Sequence, residues 1–459
     1  MRKGYVTVFF AIAIYICMSL FIGLMYGARE SAVRAKAKEA AEVSIRSVFA
    51  EYQKELWEEY NLIFVDATYG YDTDSLILPE EHYVAYLNEN FDEGGFSLTG
   101  GKDLLKISAS FAETDEIRLA TDNGGAAVRT QAVNFMKHKY GVAYFESLYE
   151  SFEEYEATFE EASESEEFAE EIIDSPVLEE WKEAYGDTIL GEKEVSLLST
   201  LRLVLSDTSD VSGANVNKKV LVSGRTLNAG NSTAYKGSDI TDNLFFKEYL
   251  LEYTNNYLNR NKDTVLSYET EYLIAGKGVD SHNLESVVNR LLLTREVMNM
   301  AALKKDEQRM QAIKIFSTII TSTILKPDLE PALEASVVSL WSFAESTDDV
   351  KLLLKGKKIP FMKTPDEWRT SMKGILSGNK EDAYENGLSY NDYLRIFVST
   401  TDAVTLTKRF MDLCELNVRK WTEDDRFRLD FCFDRWAVTA YLQSDYGYRY
   451  TIKRLYDME

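Results

Sequence analysis

The feature that most constrains this chain is a gap in charge. From Gly4 to Ala28, in the stretch GYVTVFFAIAIYICMSLFIGLMYGA, 25 residues pass without an Asp, Glu, Lys, Arg or His. A helix rises about 1.5 Å per residue, so about 20 apolar residues cross the hydrocarbon core of a bilayer and this stretch spans it with some tilt. Tyr5 and Tyr26 stand near its ends, where amphipathic rings favour the headgroup layer. The apolar run is longer than the h-region of a secretory signal, and no small-x-small cleavage site follows it. It reads as an anchor that stays.

Beyond Ala28 the helical pattern continues. Ala41, Ile45, Val48 or Phe49, Tyr52, Leu56 and Tyr60 recur at steps of three and four, and no Pro or Gly interrupts the chain as far as Tyr60. The expectation is one rod of about 55 residues, a membrane helix fused to a stalk that lifts a body off the bilayer. Within the membrane part, Ser19, Gly23 and Gly27 fall at i, i+4 and i+8, a stripe of small side chains that permits close helix–helix packing.

The remainder divides by composition. LIFVD reads as a short strand and Tyr69–Asp72 as a turn; SLTGG near Gly100 makes another turn, before LLKISASF and DEIRLA, two neighbouring strands. A helix follows Asp122-Asn123-Gly124-Gly125. Between Gly141 and Trp181 there are 15 acidic side chains and no basic one, a solvated helical arm whose like charges repel. Ser206–Gly237 is rich in Ser, Asp, Asn and Gly and reads as loop. FFKEYLLEYTNNYL is helical, YLIAG before Lys277 extended, and HNLESVVNRLLLTREVMNMAAL an amphipathic helix. AIKIFSTIITSTIL is expected to be buried in the body, since 14 residues fall short of a second span. Tyr390–Leu416 is a further helix, and the C-terminal RFRLDFCFDRWAVTAYLQS and YRYTIKRLYDM form a hairpin. The expected fold is α+β: a long N-terminal transmembrane-plus-stalk helix carrying a mixed, mostly helical body with small antiparallel sheet elements. The expected segments are 1–28 (tail and membrane helix), 29–62 (stalk), 63–143 (small sheet plus helix), 144–185 (acidic arm), 186–265 (loop-rich segment and helix), 266–425 (helical core) and 426–459 (hairpin).

Composition narrows the chemistry. The net charge of −25 argues against nucleic acid, which is bound through positive charge and counterion release. Three cysteines exclude a disulfide scaffold and a four-Cys zinc site. His82, His138 and His282 are far apart and read as surface residues. The nearest approach to a phosphate loop, Gly186 to Gly191, runs into Glu192 where a Lys is needed. SDTSDVSG lacks the spacing and distal Glu of a calcium loop. There is no HExxH, no GxSxG and no well-placed GxGxxG. No catalytic residue, cofactor, metal or small-molecule substrate is expected. Cys414 and Cys432 are either a disulfide pair, worth about 3 kcal/mol by loop closure, or two small buried hydrophobes.

The start of the chain carries a further signal. Arg2, Lys3 and Gly4 lead at once into the apolar helix at Tyr5, and this resembles a type IV prepilin or a tight-adherence pseudopilin. The resemblance implies cleavage between Gly4 and Tyr5 on the cytoplasmic face; the alternative is an uncleaved signal anchor. Phe9 stands where the pilin pattern has a Glu. More widely, KGYVTVFFAIAIY, VFAEYQKELWEEYNLIFVD, RTQAVNFMKHKYG, EYLIAGKGVDSHNLESVVNRLLLTRE, LWSFAESTDDVKLLLKGKKIPFMKTPDEW and the Tyr390 segment YNDYLR together resemble an uncharacterised family of single-pass membrane proteins from Gram-positive anaerobes, catalogued as a domain of unknown function. The resemblance implies membrane mounting and a link to a pilus or secretion system through the N-terminal helix, and carries over no catalytic residue.

Orientation draws on both lines. Arg29, Arg34, Lys36 and Lys38 follow the apolar segment, so the positive-inside rule alone would put the body in the cytoplasm. The pilin-like start implies the reverse, N-terminus inside and body outside, and that is the orientation expected. The functional expectation is a non-enzymatic, membrane-anchored structural or assembly protein; the alternative is a monomeric surface-exposed binding or adhesion module.

Overall fold

In a computed structural model the chain is described over residues 3–73, 75–91, 105–140, 199–205, 207–235, 240–323, 326–371, 384 and 386–458. The fold is α+β: helices dominate, a long apolar helix opens the chain, and one antiparallel sheet of four strands is present among the described residues. The chain forms two compact units, each assembled from separated stretches. The first comprises Met1–Gln131, Thr226–Gly237 and Val418–Glu459, and the second Ala132–Arg225 and Ser238–Asn417. The acidic arm, the SLTGG turn and Gly186–Gly191 lie outside the described residues.

The first unit begins with α1 (Lys3–Ala50), followed by the short α2 (Lys54–Tyr60). The expected 55-residue rod is therefore broken at Glu51–Gln53. There the backbone is drawn into strand-like pairing: Tyr52 bridges Val65, and the Gln53 amide donates to the Phe64 carbonyl at 2.8 Å. A tertiary contact overrides a continuous helical pattern that contains no breaker.

The expected free stalk is also corrected. Val33, Ala37, Ala40, Ala41, Ile45, Val48 and Phe49 are buried, and they form one face of the unit's core. Their partners are α3 (Leu78–Phe91), a helix not anticipated in a region read as sheet, and the sheet itself. The alanines at 37, 40 and 41 let neighbouring elements approach closely, and Tyr83 of α3 donates its hydroxyl to the Ala41 carbonyl at 3.3 Å.

The sheet is organised by β3 (Cys432–Ser444). It pairs antiparallel with β2 (Ile107–Leu119), with β4 (Arg449–Asp457), and at its start with the two-residue β1 (Val65–Asp66). LLKISASF and DEIRLA are thus parts of a single 13-residue strand, not two. Register shifts between Ala109 and Phe111, Thr114 and Glu116, and Arg118 and Leu119 let β2 follow β3 from Ser444 to Phe433. Such bulges bend a strand and tighten its twist without ending it. Trp436 of β3 is fully buried and donates its indole N–H to Thr114 Oγ1 at 3.0 Å. At the sheet's far end Arg118, 3% exposed, forms a bidentate pair with Asp434 at 2.8 and 2.9 Å and also reaches Asp457 at 2.9 Å, tying β2, β3 and β4 together. After β2 the chain turns through Asn123, Gly124 and Gly125, all at positive φ, into the rest of α4 (Asp122–Tyr140). Glycine and asparagine tolerate that left-handed backbone.

The second unit is helical. After α5 (Ser199–Val204), a loop and α6 (Ile240–Tyr253), the chain forms α7 (Glu269–Ala275), so YLIAG is the end of a helix and not a strand. Gly276, at φ +66, ends α7, and Arg409 fills the space beside it, donating to the Leu273 and Ile274 carbonyls at 2.6 and 2.7 Å. Those carbonyls would otherwise lack partners at the helix terminus. The long helices α8 (Asp280–Lys305) and α10 (Glu330–Leu354) pack along each other, with α9 (Glu307–Thr323), α11 (Tyr390–Ser399) and α12 (Ala403–Thr422) completing the set described.

Candidate functional site

The candidate site follows from the uneven environment of α1. Its first half carries Phe9, Phe10, Ile14, Tyr15, Leu20, Phe21 and Leu24, all more than half exposed, and the most apolar part of this helix is not buried by any described residue. Exposing that many large apolar side chains to water would forfeit about 25 cal/mol for each Å² of apolar surface. The helix is long and apolar enough to cross a membrane. From Val33 onward the same helix is locked into the core, so whatever holds the first half is rigidly joined to the first unit.

Each residue singled out from sequence has a defined place. Gly4 and Tyr5 lie within the first turns of α1, with Tyr5 80% exposed. Ser19 donates its hydroxyl to the Ile16 carbonyl at 3.0 Å along its own helix. A Cβ added at Gly23 or at Gly27 would meet nothing within 4 Å. The small-residue stripe is therefore open, and nothing described in this chain packs on it. Cys414 and Cys432 are both buried and not disulfide-bonded, and Cys432 Sγ donates to the Arg428 carbonyl at 3.7 Å. Of the histidines, His82 is half-buried, stacked on Tyr69 with ring centroids 3.9 Å apart and 3.0 Å from Glu51. That places it in packing between α3 and the α1–α2 break, not on the open surface.

A second feature reverses an expectation. Helix α9 does not sink its apolar residues into the body. It buries Ile313, Ser317 and Thr321, while Ile315, Phe316, Ile319 and Ile320 face outward, Ile319 at 58% exposure. The reason is local. The buried side holds the small hydroxyl residues Ser317 and Thr321, and Thr321 donates its hydroxyl back into the helix, to the Ser317 carbonyl at 2.8 Å.

A third feature left no trace in the sequence pattern. Arg295, Glu345, Asp349 and Lys363 meet in the interior of the second unit. Arg295 lies 2.9 Å from Asp349 and donates to Asn299, Tyr393 and the Pro360 and Phe361 carbonyls; Lys363 donates to Glu345 and, at 2.5 Å, to Asp349. Burial pushes the Asp349 carboxyl up, but Arg295 and then Lys363 outweigh it and leave it below its ordinary value. Glu345 also accepts from the Thr370 amide at 2.8 Å and its hydroxyl at 2.6 Å. Every charge is matched, so the cluster fastens the 359–370 loop to α8 and α10. Nearby in sequence but distinct in role, Glu269 and Glu271 of α7 are buried without a cation. Glu269 accepts from the Asn255 amide and Asn417, and Glu271 from the Tyr257 amide and the Tyr390 hydroxyl. Burial raises both carboxyls to about 7. These acids act as fixed acceptors for a loop's backbone. Among the described residues no group of three His, Cys, Asp or Glu is placed to hold a metal ion.

Comparison with known proteins gives one result. No curated protein and no solved structure matches the chain. A model of a family of unknown function, DUF5702, matches residues 179–444, more than half of the 459 residues and including most of the second unit and strand β3. The chain belongs to that family of unknown function, DUF5702.

Proposed function

We propose that this protein is a non-enzymatic, single-pass membrane protein of the pseudopilin type, a structural or assembly subunit of a tight-adherence pilus or secretion system in a Gram-positive cell. Its N-terminus faces the cytoplasm and its body lies outside. The observation that carries the reading is the continuity of α1: 24 residues of exposed apolar helix pass without a break into the core of the first unit. Force or motion applied to the membrane segment is transmitted to the body, as an assembling subunit requires. The basic start ending at Gly4 and the open Ser19/Gly23/Gly27 stripe support processing and helix–helix assembly, while Phe9 departs from the pilin pattern.

The direct test is an N-terminal determination on protein isolated from native membranes. A chain beginning at Tyr5 supports the pilin-type reading, and one beginning at Met1 or Arg2 rejects processing while leaving the anchor in place. Crosslinking in membranes tests assembly: Gly23→Leu with Gly27→Leu abolishes self-association if the stripe is its seam.

A second reading, a monomeric surface-exposed binding or adhesion module held by a signal anchor, is favoured by the outward apolar face of α9. It predicts no self-crosslinking and a loss of partner binding, without loss of folding, on Ile319→Asp.

A further inference from the structure

Where α1 leaves its apolar stretch, it meets the end of the sheet, and basic side chains collect there. Residues 29–42 and 445–454 carry seven basic side chains against four acidic ones, in a chain whose overall charge is −25. Between α1 and β4 lies an open cleft of about 290 Å³, lined by Arg34, Lys38, Tyr450, Ile452, Lys453 and Arg454. That is at the small end of ligand pockets, about 300 Å³, and suits a headgroup better than a whole organic ligand.

Some of these cations are partly engaged. Arg34 pairs with Glu30 at 2.6 Å, Lys453 with Asp115 at 3.3 Å, and Arg454 with Glu42 at 3.5 Å while donating to the Lys38 carbonyl at 3.1 Å. Lys36, Lys38 and Arg449 make no ion pair among the described residues. Arg34 and Lys453 keep more than 60% of their side chains exposed.

Aromatic rings frame the same corner. Arg29 lies over the Tyr446 ring at 3.8 Å and Arg34 over that of Tyr450 at 5.7 Å, and Tyr446 is 40% exposed at the tip of the β3–β4 hairpin. The depth is set by the helix. At about 1.5 Å per residue Arg34 lies about 9 Å beyond Ala28 and Lys38 about 15 Å. The headgroup layer on each side of the hydrocarbon core is about 5–8 Å thick. Arg29 and Tyr446 therefore fall within that layer and the cleft opens at its outer edge, where tyrosines and basic side chains meet lipid phosphate.

Resting on the membrane-anchored reading, we infer that this cleft is a docking surface for the phosphate of an anionic phospholipid in the leaflet facing the body. The same inference accounts for a basic cluster on the side that the positive-inside rule would leave neutral: the charges hold the head against the bilayer. The occupant is lipid and not free phosphate, because the cleft opens at the outer edge of the headgroup layer, on the helix that runs into that layer, and Tyr446 and Tyr450 flank it.

The test uses the full chain in nanodiscs of equal phosphatidylglycerol and phosphatidylcholine, with the lipids that remain bound after release identified by native mass spectrometry. The wild type is expected to retain phosphatidylglycerol several-fold over phosphatidylcholine. The triple variant Lys38→Gln/Arg449→Gln/Lys453→Gln, all at exposed positions, brings that ratio close to one, and Lys38→Arg/Lys453→Arg keeps it. A wild type without enrichment, or a triple variant that retains it, overturns the inference. Displacement of the lipid by millimolar inorganic phosphate overturns it too, since that would mark a soluble-phosphate site. Failure of the wild type to enter nanodiscs would instead overturn the anchor on which the inference rests.

Discussion

The two halves of α1 are one helix with opposite fates. From Tyr5 to Ala28 its side chains are large and apolar, and they are exposed. From Val33 to Phe49 the inward side chains range from alanine, three of them, to Phe49, and all are buried. Burial here follows the availability of a partner and not the hydrophobicity of the residue. The second half meets a sheet and a helix that belong to the same chain; the first meets nothing among the described residues, and its apolar side chains stay exposed. Helix α9 repeats the lesson on a smaller scale, with Ile319 outside and Ser317 inside.

The sharpest test compares a phenylalanine from each half. Phe49 packs edge-on to Phe433 and against Tyr456, with centroids 5.4 and 4.6 Å away. Phe49→Ala is expected to cost about 3–5 kcal/mol in unfolding free energy. Phe21→Ala, measured on the same detergent-solubilised chain, leaves stability within about 0.5 kcal/mol. Equal losses would show that the first half also packs on protein.

Helix α7 extends the comparison to buried charge, because it buries two carboxylates where α1 buries mainly apolar groups. Glu269 and Glu271 have ordinary values of 4.5 and folded values of about 7, raised chiefly by burial. Between those values the native chain binds more protons than the unfolded one, so this contribution falls as pH rises from about 4.5 to 7 and is constant above. The shift corresponds to about 3 kcal/mol per group. Urea unfolding at pH 5 and pH 8 should therefore show less dependence on pH in Glu269→Gln/Glu271→Gln than in the wild type. An unchanged difference would mean that both acids ionise freely in the fold.

The smallest expected effect concerns α9. Ile313→Val removes one methyl from a fully buried site and costs about 0.5–1.5 kcal/mol. Ile319→Val, outside, should be within experimental error of the wild type by thermal unfolding. A cost at Ile319 equal to that at Ile313 would show that its face is covered.

Legibility from sequence tracked how local each feature is. The long apolar helix was readable because 25 consecutive uncharged residues need no partner to be recognised. The buried stripe of α1 was readable as a period, but its partner was not: the positions of Ala41 and Ile45 reveal a face, not what lies against it. The C-terminal hairpin was visible in its alternation, whereas β2 was split in two, because only pairing with β3 carries it through Ala112, Glu113 and Thr114. The break at Glu51–Gln53, the helical state of Tyr272–Ala275 and the Arg295/Lys363/Glu345/Asp349 cluster were invisible. Each depends on contacts with residues distant in sequence, from Phe64 to Arg409.

The sequence by itself determined that this chain opens with a helix too apolar for water, that helices outnumber strands, and that no familiar catalytic motif is present. Only the tertiary structure decided where that helix stops being exposed, which face of α9 turns outward, and that the basic residues after Ala28 share a cleft with the last strand. Composition and period are properties of a segment alone. Burial, register and the company a charge keeps are properties of pairs, and pairs distant in sequence meet only when the chain has folded.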